Sequence, residues 1–198
     1  SFTTYDELRL ATAYLYMKPW FGFHSTRLFA MGDARGNNIY GDNNNETGYA
    51  PYCLFTDKPN TPGLADAWNS LYIVVTQADY IINDYAPQGR QHFSEAQANA
   101  CEGEARFMRA AAYYYLASYW HDVPIMENPI AHTEAFNMAP TRFEDVIRYG
   151  IRDLEYAAEW LPLADADGRV TRYSALGLLA RYYVTLAAYA RGGHCTQA

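Results

Sequence analysis

At 198 residues, half of them hydrophobic, the chain can bury one sizeable core, and a single domain is the expectation. Fifteen Lys and Arg against 22 Asp and Glu give a formal charge of -7, with no basic run to neutralise a series of phosphates, so nucleic acid is excluded as a partner. No window holds the roughly 18 consecutive apolar residues of a membrane span, and Ser1 to Tyr5 lack the charged and apolar regions of a signal peptide.

Apolar residues recur at helical spacing in five stretches, and none alternates with a strand period. The first runs from about Thr4 to Met17, opened by a capping-box pair, Thr4 and Glu7, and closed by Pro19. Residues 20–60, rich in Gly, Asn and Tyr, read as a long loop insertion, and loops of that length inside a domain are usually functional. A second helix spans about Pro62 to Tyr85, with Leu64, Trp68, Leu71, Tyr72, Val75 and Ile82 on one face. The third, from about Ser94 to Trp120, opens with a second capping box, Ser94 and Gln97. It carries Cys101, Ala105, Met108, Ala112, Tyr115 and Tyr119 on one side. The fourth runs from Thr141, with Glu144 three residues on, to Leu161, and the fifth from Thr171 to about Arg191, ended by Gly192 and Gly193.

Shifting the third helix by 70 residues onto the fifth matches Ala105 with Ala175, Ala110 with Ala180 and Tyr113 with Tyr183, and then Leu116 with Leu186, Ala117 with Ala187 and Tyr119 with Tyr189. Small Ala faces let helices approach closely while Tyr fills the groove, so each pair buries its face against the next. The fold class predicted is all-α, with tetratricopeptide-like helical pairs forming an α-α superhelix and long loop insertions.

Little here points to covalent chemistry. Glu104, Arg106 and Arg109 share one helix, but Glu-to-Arg spacing on a packed helix is architectural, and Arg109 is expected to bridge to a carboxylate such as Asp122. His24, His92, His121, His132 and His194 are scattered, and Cys53, Cys101 and Cys195 are few, odd in number and far apart; no metal, cofactor or disulfide framework is expected. Gly41 to Gly48 places Asp42, Asn44 and Glu46 like a calcium loop, but Thr47 occupies the position where an EF-hand needs Gly and no closing Glu follows, so it reads as a turn-rich solvent loop.

Four motifs in order carry a family resemblance. Gly103 to Ala110, followed by Tyr113-Tyr114-Tyr115-Leu116 and Asp122-Val123-Pro124-Ile125, closely resembles the signature helix and turn of the SusD/RagB family. Trp68 to Asn83, Ile151 to Leu154 with Leu161-Pro162, and Gly168 to Thr171 with Ala175 to Tyr183 resemble its other segments. Ala78-Asp79 stands where the family usually has Ala-Asn, Trp120-His121 replaces an aromatic-Gly pair, and family members continue with a large second half, so the chain reads as the N-terminal portion of a longer protein. The resemblance implies a surface-exposed lipoprotein on the outer face of the outer membrane, lipid-anchored upstream of Ser1. It implies a non-catalytic role, handing an oligosaccharide to a SusC-like TonB-dependent β-barrel transporter.

Sugars present an apolar ring face and a rim of hydroxyls, which calls for exposed rings to stack on and amides to hydrogen-bond. Trp20, Tyr40, Asn43, Asn44, Tyr49 and Tyr52 offer that mixture on the 20–60 stretch and are the expected ligand-binding residues; the competing expectation is that Trp20 and Tyr52 fold back onto the core. Two other functions remain open: a peptide-binding tetratricopeptide adaptor, and a helical-toroid glycoside hydrolase, which needs two carboxylates across a cleft that nothing in the sequence pairs.

Overall fold

Thr4 opens helix α1 (Tyr5–Ala13) as its sequence predicts. Its hydroxyl accepts from the Glu7 amide, and the Glu7 carboxylate accepts from the Thr4 amide. The computed structural model describes residues 2–39, 49–129 and 138–193, and among them secondary structure is helical apart from one isolated bridge, Val123 to Thr141. A 3-10 turn at Tyr14–Tyr16 extends α1, and the chain turns sharply at Met17 (φ -111°, ψ -108°) ahead of Pro19.

The expectation of a loop over residues 20–60 is corrected for its first part. Helix α2 (Lys18–Gly22) runs into two π-helical turns, Phe23–Arg27 and Phe29–Ala34, and a short α3 (Ala50–Cys53) follows. Trp20, Phe23, Ala30, Met31 and Ala34 are buried at helical spacing, a pattern hidden by the Gly- and Asn-rich composition of the stretch as a whole.

Helix α4 (Leu64–Tyr80) continues through a π turn (Ile81–Tyr85) into α5 (Ala86–Gly89), and three long helices follow: α6 (Glu95–Trp120), α7 (Phe143–Trp160) and α8 (Arg172–Arg191). Ser94 caps α6 with the predicted box. Thr141, expected to open α7, instead pairs with Val123, and the Phe143 amide is taken by Asp122 Oδ1 at 2.8 Å, so the cap of α7 comes from the end of α6.

Cross-helix pairs fix the stacking. Trp68 meets Trp120 and Tyr72 meets Tyr113, so α4 and α6 run antiparallel. Tyr113 meets Tyr149 while the Cβ position of Gly103 abuts Leu161 and Ala157, so α7 runs back along α6. Tyr189 meets Phe143 and Tyr182 fills the notch at Gly150, so α8 runs back along α7. These are offset antiparallel pairs of the tetratricopeptide kind. The 70-residue match holds at the inner contact, since Ala105 and Ala175 are both fully buried. It diverges on the outer face: Tyr113 is buried whereas Tyr183 is exposed, and Tyr182 is the ring that turns inward. α7 covers that face of α6, and among the described residues nothing covers the counterpart on α8.

Two ionic clusters tie these layers together, both through α6. On one side Glu104, almost wholly buried, accepts from Arg9 (2.6 Å), Arg169 (2.7 Å) and the Tyr16 hydroxyl (2.7 Å), and Arg9 also grips Asp165 at 2.6 Å. On the other, Arg109 donates to Asp79 of α4 at 2.6 Å and to Asp153 of α7 at 2.7 Å, while Arg106 joins Asp153 (2.9 Å) and Glu102, which also holds Arg90. The structural role expected for Glu104, Arg106 and Arg109 therefore holds, but the partner expected for Arg109 does not, because Asp122 is occupied with the α7 cap and with His121.

Asp79 is the less satisfied carboxylate: it is fully buried, and its Oδ2 accepts no hydrogen bond. Burial, outweighing the Arg109 charge and aided by Asp153 and Glu127, pushes its pKa up to about 7, whereas Arg109 is held charged chiefly by Asp153. A folded-state pKa above the unfolded one means that the native state binds the extra proton. The stability this group contributes is complete below about pH 4 and disappears as pH rises through about 7. Replacing Asp79 by Asn is expected to flatten the fall in urea midpoint between pH 5 and pH 8; an unchanged slope would show that another group titrates.

Candidate functional site

Of the predicted binding residues, Trp20, Tyr49 and Tyr52 fall among the described ones. Trp20 is buried, stacked on His24 at 5.2 Å and set edge-on to Tyr115. Tyr52 is buried with its hydroxyl donating to the Pro62 carbonyl at 3.3 Å, and Tyr49 is half-buried at the start of α3. Neither Trp20 nor Tyr52 presents a free ring face. Tyr40, Asn43 and Asn44, together with the calcium-like Gly41 to Gly48 segment, lie outside the described residues.

A cavity of about 330 Å³ opens beside the described ends of that segment, lined by Met31, Arg35, Tyr52, Asp57, Ser118 and Tyr119. Its polar wall is an ion pair, Arg35 to Asp57 at 2.6 Å. Its aromatic wall has two parts. Tyr119 stacks on Tyr115 at 9° between ring planes, and Tyr115 is backed by Phe23 and Trp20, so the buried Trp20 supports the wall from behind. Phe55 sits at the rim, 66% exposed, with the Arg35 guanidinium 5.2 Å over its ring. Its φ of 53° lies in the left-handed region that non-glycine residues rarely occupy, a local strain that holds a large apolar ring out in solvent.

Burial raises the pKa values of Tyr52 and Tyr119, so both hydroxyls stay neutral and act as hydrogen-bonding groups at ordinary pH. The carboxylate displaced furthest upward, Asp79, does not line this cavity. A larger cavity, about 550 Å³, lies between α7 and α8, where Asp145 pairs with Arg142 and Glu155 accepts from the Tyr183 hydroxyl. Among the described residues no cluster of His, Cys, Asp and Glu could hold a metal ion.

Sequence reasoning missed Arg35, Phe55, Asp57, Ser118 and Tyr119. Phe55 carried one usable signal, a large ring immediately before the turn-rich run Thr56 to Asn60; Tyr119 lies on the apolar stripe of α6 and reads as core.

Residues 22–184 match the family described as "Starch-binding associating with outer membrane". A SusD-like protein of Bacteroides ovatus is 34% identical over 98% of this chain, and the chain spans 35% of that relative's length. A crystal structure with a xylogluco-oligosaccharide superposes with a TM-score of 0.80 at 33% identity, over 89% of this chain and 34% of the other. A laminarin-binding SusD-like protein shares the fold, with a TM-score of 0.77 at 20% identity over 90% of this chain and 40% of its own.

Proposed function

The chain belongs to the SusD-like family, and from that premise we propose that it binds glycans without cleaving them, as part of a surface system that passes oligosaccharides to a TonB-dependent outer-membrane transporter. The observation that carries this reading is the cavity lined by Arg35, Tyr52, Asp57, Ser118 and Tyr119. A sugar ring stacks on Phe55 and Tyr119, and its hydroxyls meet Arg35, Asp57 and Ser118. The xyloglucan-type ligand in the 33%-identical structure supports a β-glucan as the first class to try. Lipid anchoring at the outer face and a barrel partner belong to the same reading.

Gel retardation on immobilised xyloglucan, laminarin and starch tests it. Retardation by at least one glycan is expected, with no new reducing ends on prolonged incubation. Phe55→Ala is expected to weaken retention about three- to tenfold, the scale of one aromatic contact, with the thermal midpoint unchanged because the ring is solvent-facing. New reducing ends would favour a hydrolase instead, and binding confined to peptides would replace glycan by peptide as the ligand.

A further inference from the structure

A second cavity, about 350 Å³, lies where the π turn after α4, α6, α7 and the segment following α6 converge. Its floor is made of charges already matched to one another: Asp153, almost wholly buried, takes both Arg106 and Arg109. Two lining groups of opposite sign are left over. The Arg152 guanidinium lies 5.7 Å over the Tyr149 ring and has no carboxylate within ion-pairing distance among the described residues. The Glu127 carboxylate likewise has no cationic partner there, although its backbone carbonyl is pinned by Asn83 Nδ2 at 2.7 Å. Glu127 lines the cavity, and its charge contributes to the raised pKa values of both Asp79 and Tyr149.

We propose that this cavity binds a zwitterion the size of an amino acid or dipeptide, its carboxylate on the Arg152 guanidinium and its ammonium between the Glu127 carboxylate and the Asn83 side-chain oxygen. A guanidinium grips a carboxylate through two parallel N–H donors. Asn83 uses its side-chain amide protons on the Asp79 and Glu127 carbonyls, which leaves Oδ1 as an acceptor. The volume is at the lower end of small-molecule sites and matches a ligand of a few heavy atoms. With one unpaired charge of each sign, a ligand carrying both gains two contacts where a simple anion or cation gains one. This site is separate from the glycan cavity, and neither reading depends on the other.

The test is a titration of the protein with L-alanine and L-alanyl-L-alanine, followed by NMR at the Asn83 side-chain amide, with acetate and methylammonium as single-charge controls. Saturable shifts are expected for at least one zwitterion, with both controls weaker by about tenfold, the loss of one charge-assisted contact. Arg152→Ala and Glu127→Gln should each weaken the zwitterion by about tenfold while leaving the thermal midpoint in place, since both side chains are exposed. No saturable shift with either zwitterion, acetate binding as well as the zwitterions, or affinity unchanged in both variants would each overturn the proposal.

Discussion

Arg109→Leu is expected to lower the free energy of unfolding by about 3–5 kcal/mol, read from the urea midpoint at constant slope, a large share of the stability of an ordinary domain. The reason is what the substitution leaves behind. Asp79 and Asp153 are fully or almost fully buried, and the guanidinium between them is their common counter-charge. Arg106 still reaches Asp153, but among the described residues Asp79 has no other cation. The loss therefore measures stranded carboxylates rather than the worth of an ion pair. A triple variant separates the two: adding Asp79→Leu and Asp153→Leu to Arg109→Leu should recover most of the stability, because an apolar trio of similar volume needs no charge compensation. If the triple variant is as unstable as the single one, the contact of the Arg109 guanidinium with the Tyr149 ring, 4.9 Å away, is the larger contribution.

Gly150→Ala is expected to destabilise by about 2–3 kcal/mol, although Ala is the better helix former by about 1 kcal/mol. A Cβ at this position would sit 2.3 Å from the Tyr182 hydroxyl and 2.4 Å from its ring carbons, so α7 and α8 could not keep their approach. Tyr182 has no room to yield: it is fully buried, and its hydroxyl donates to the Ala110 carbonyl of α6 at 2.6 Å. Moving the ring forfeits that hydrogen bond, about 1 kcal/mol, on top of the overpacking. Gly177→Ala on the outer face of α8 provides the opposite sign, since a Cβ there meets nothing within 4 Å and helix propensity alone should raise stability by about 0.5–1 kcal/mol. Equal responses at the two glycines in thermal unfolding would refute the close-approach account.

What could be read from the sequence follows the range of each interaction. Thr4 with Glu7 and Ser94 with Gln97 are contacts three residues apart, and both form as their spacing predicts. That Glu104, Arg106 and Arg109 are architectural was also legible, because charges on a helix with an apolar face must be paired when it packs. Their partners were not legible. Asp79 and Asp153 lie 30 and 44 residues from Arg109, and no local rule selects them over the nearer Asp122. The same limit explains residues 18–34, where turn-forming composition masked a helical spacing of buried rings and methyls. The candidate cavity was the least legible feature, since Arg35, Asp57 and Tyr119 come from three segments with no shared period. Only its neighbourhood, the aromatic and amide-rich run, announced itself.

The Glu104 cluster has a consequence for how the molecule is made. Arg9 is made before its anchors at Glu104 and Asp165, which lie 95 and 156 residues further along the chain, and Arg169, which completes the cluster, follows both. Contacts that close such long spans are penalised by loop entropy and form late. Helix α1 is therefore made before its partners and is among the last of these elements to be secured, and until then α4 and α6 must hold their register through their own aromatic contacts.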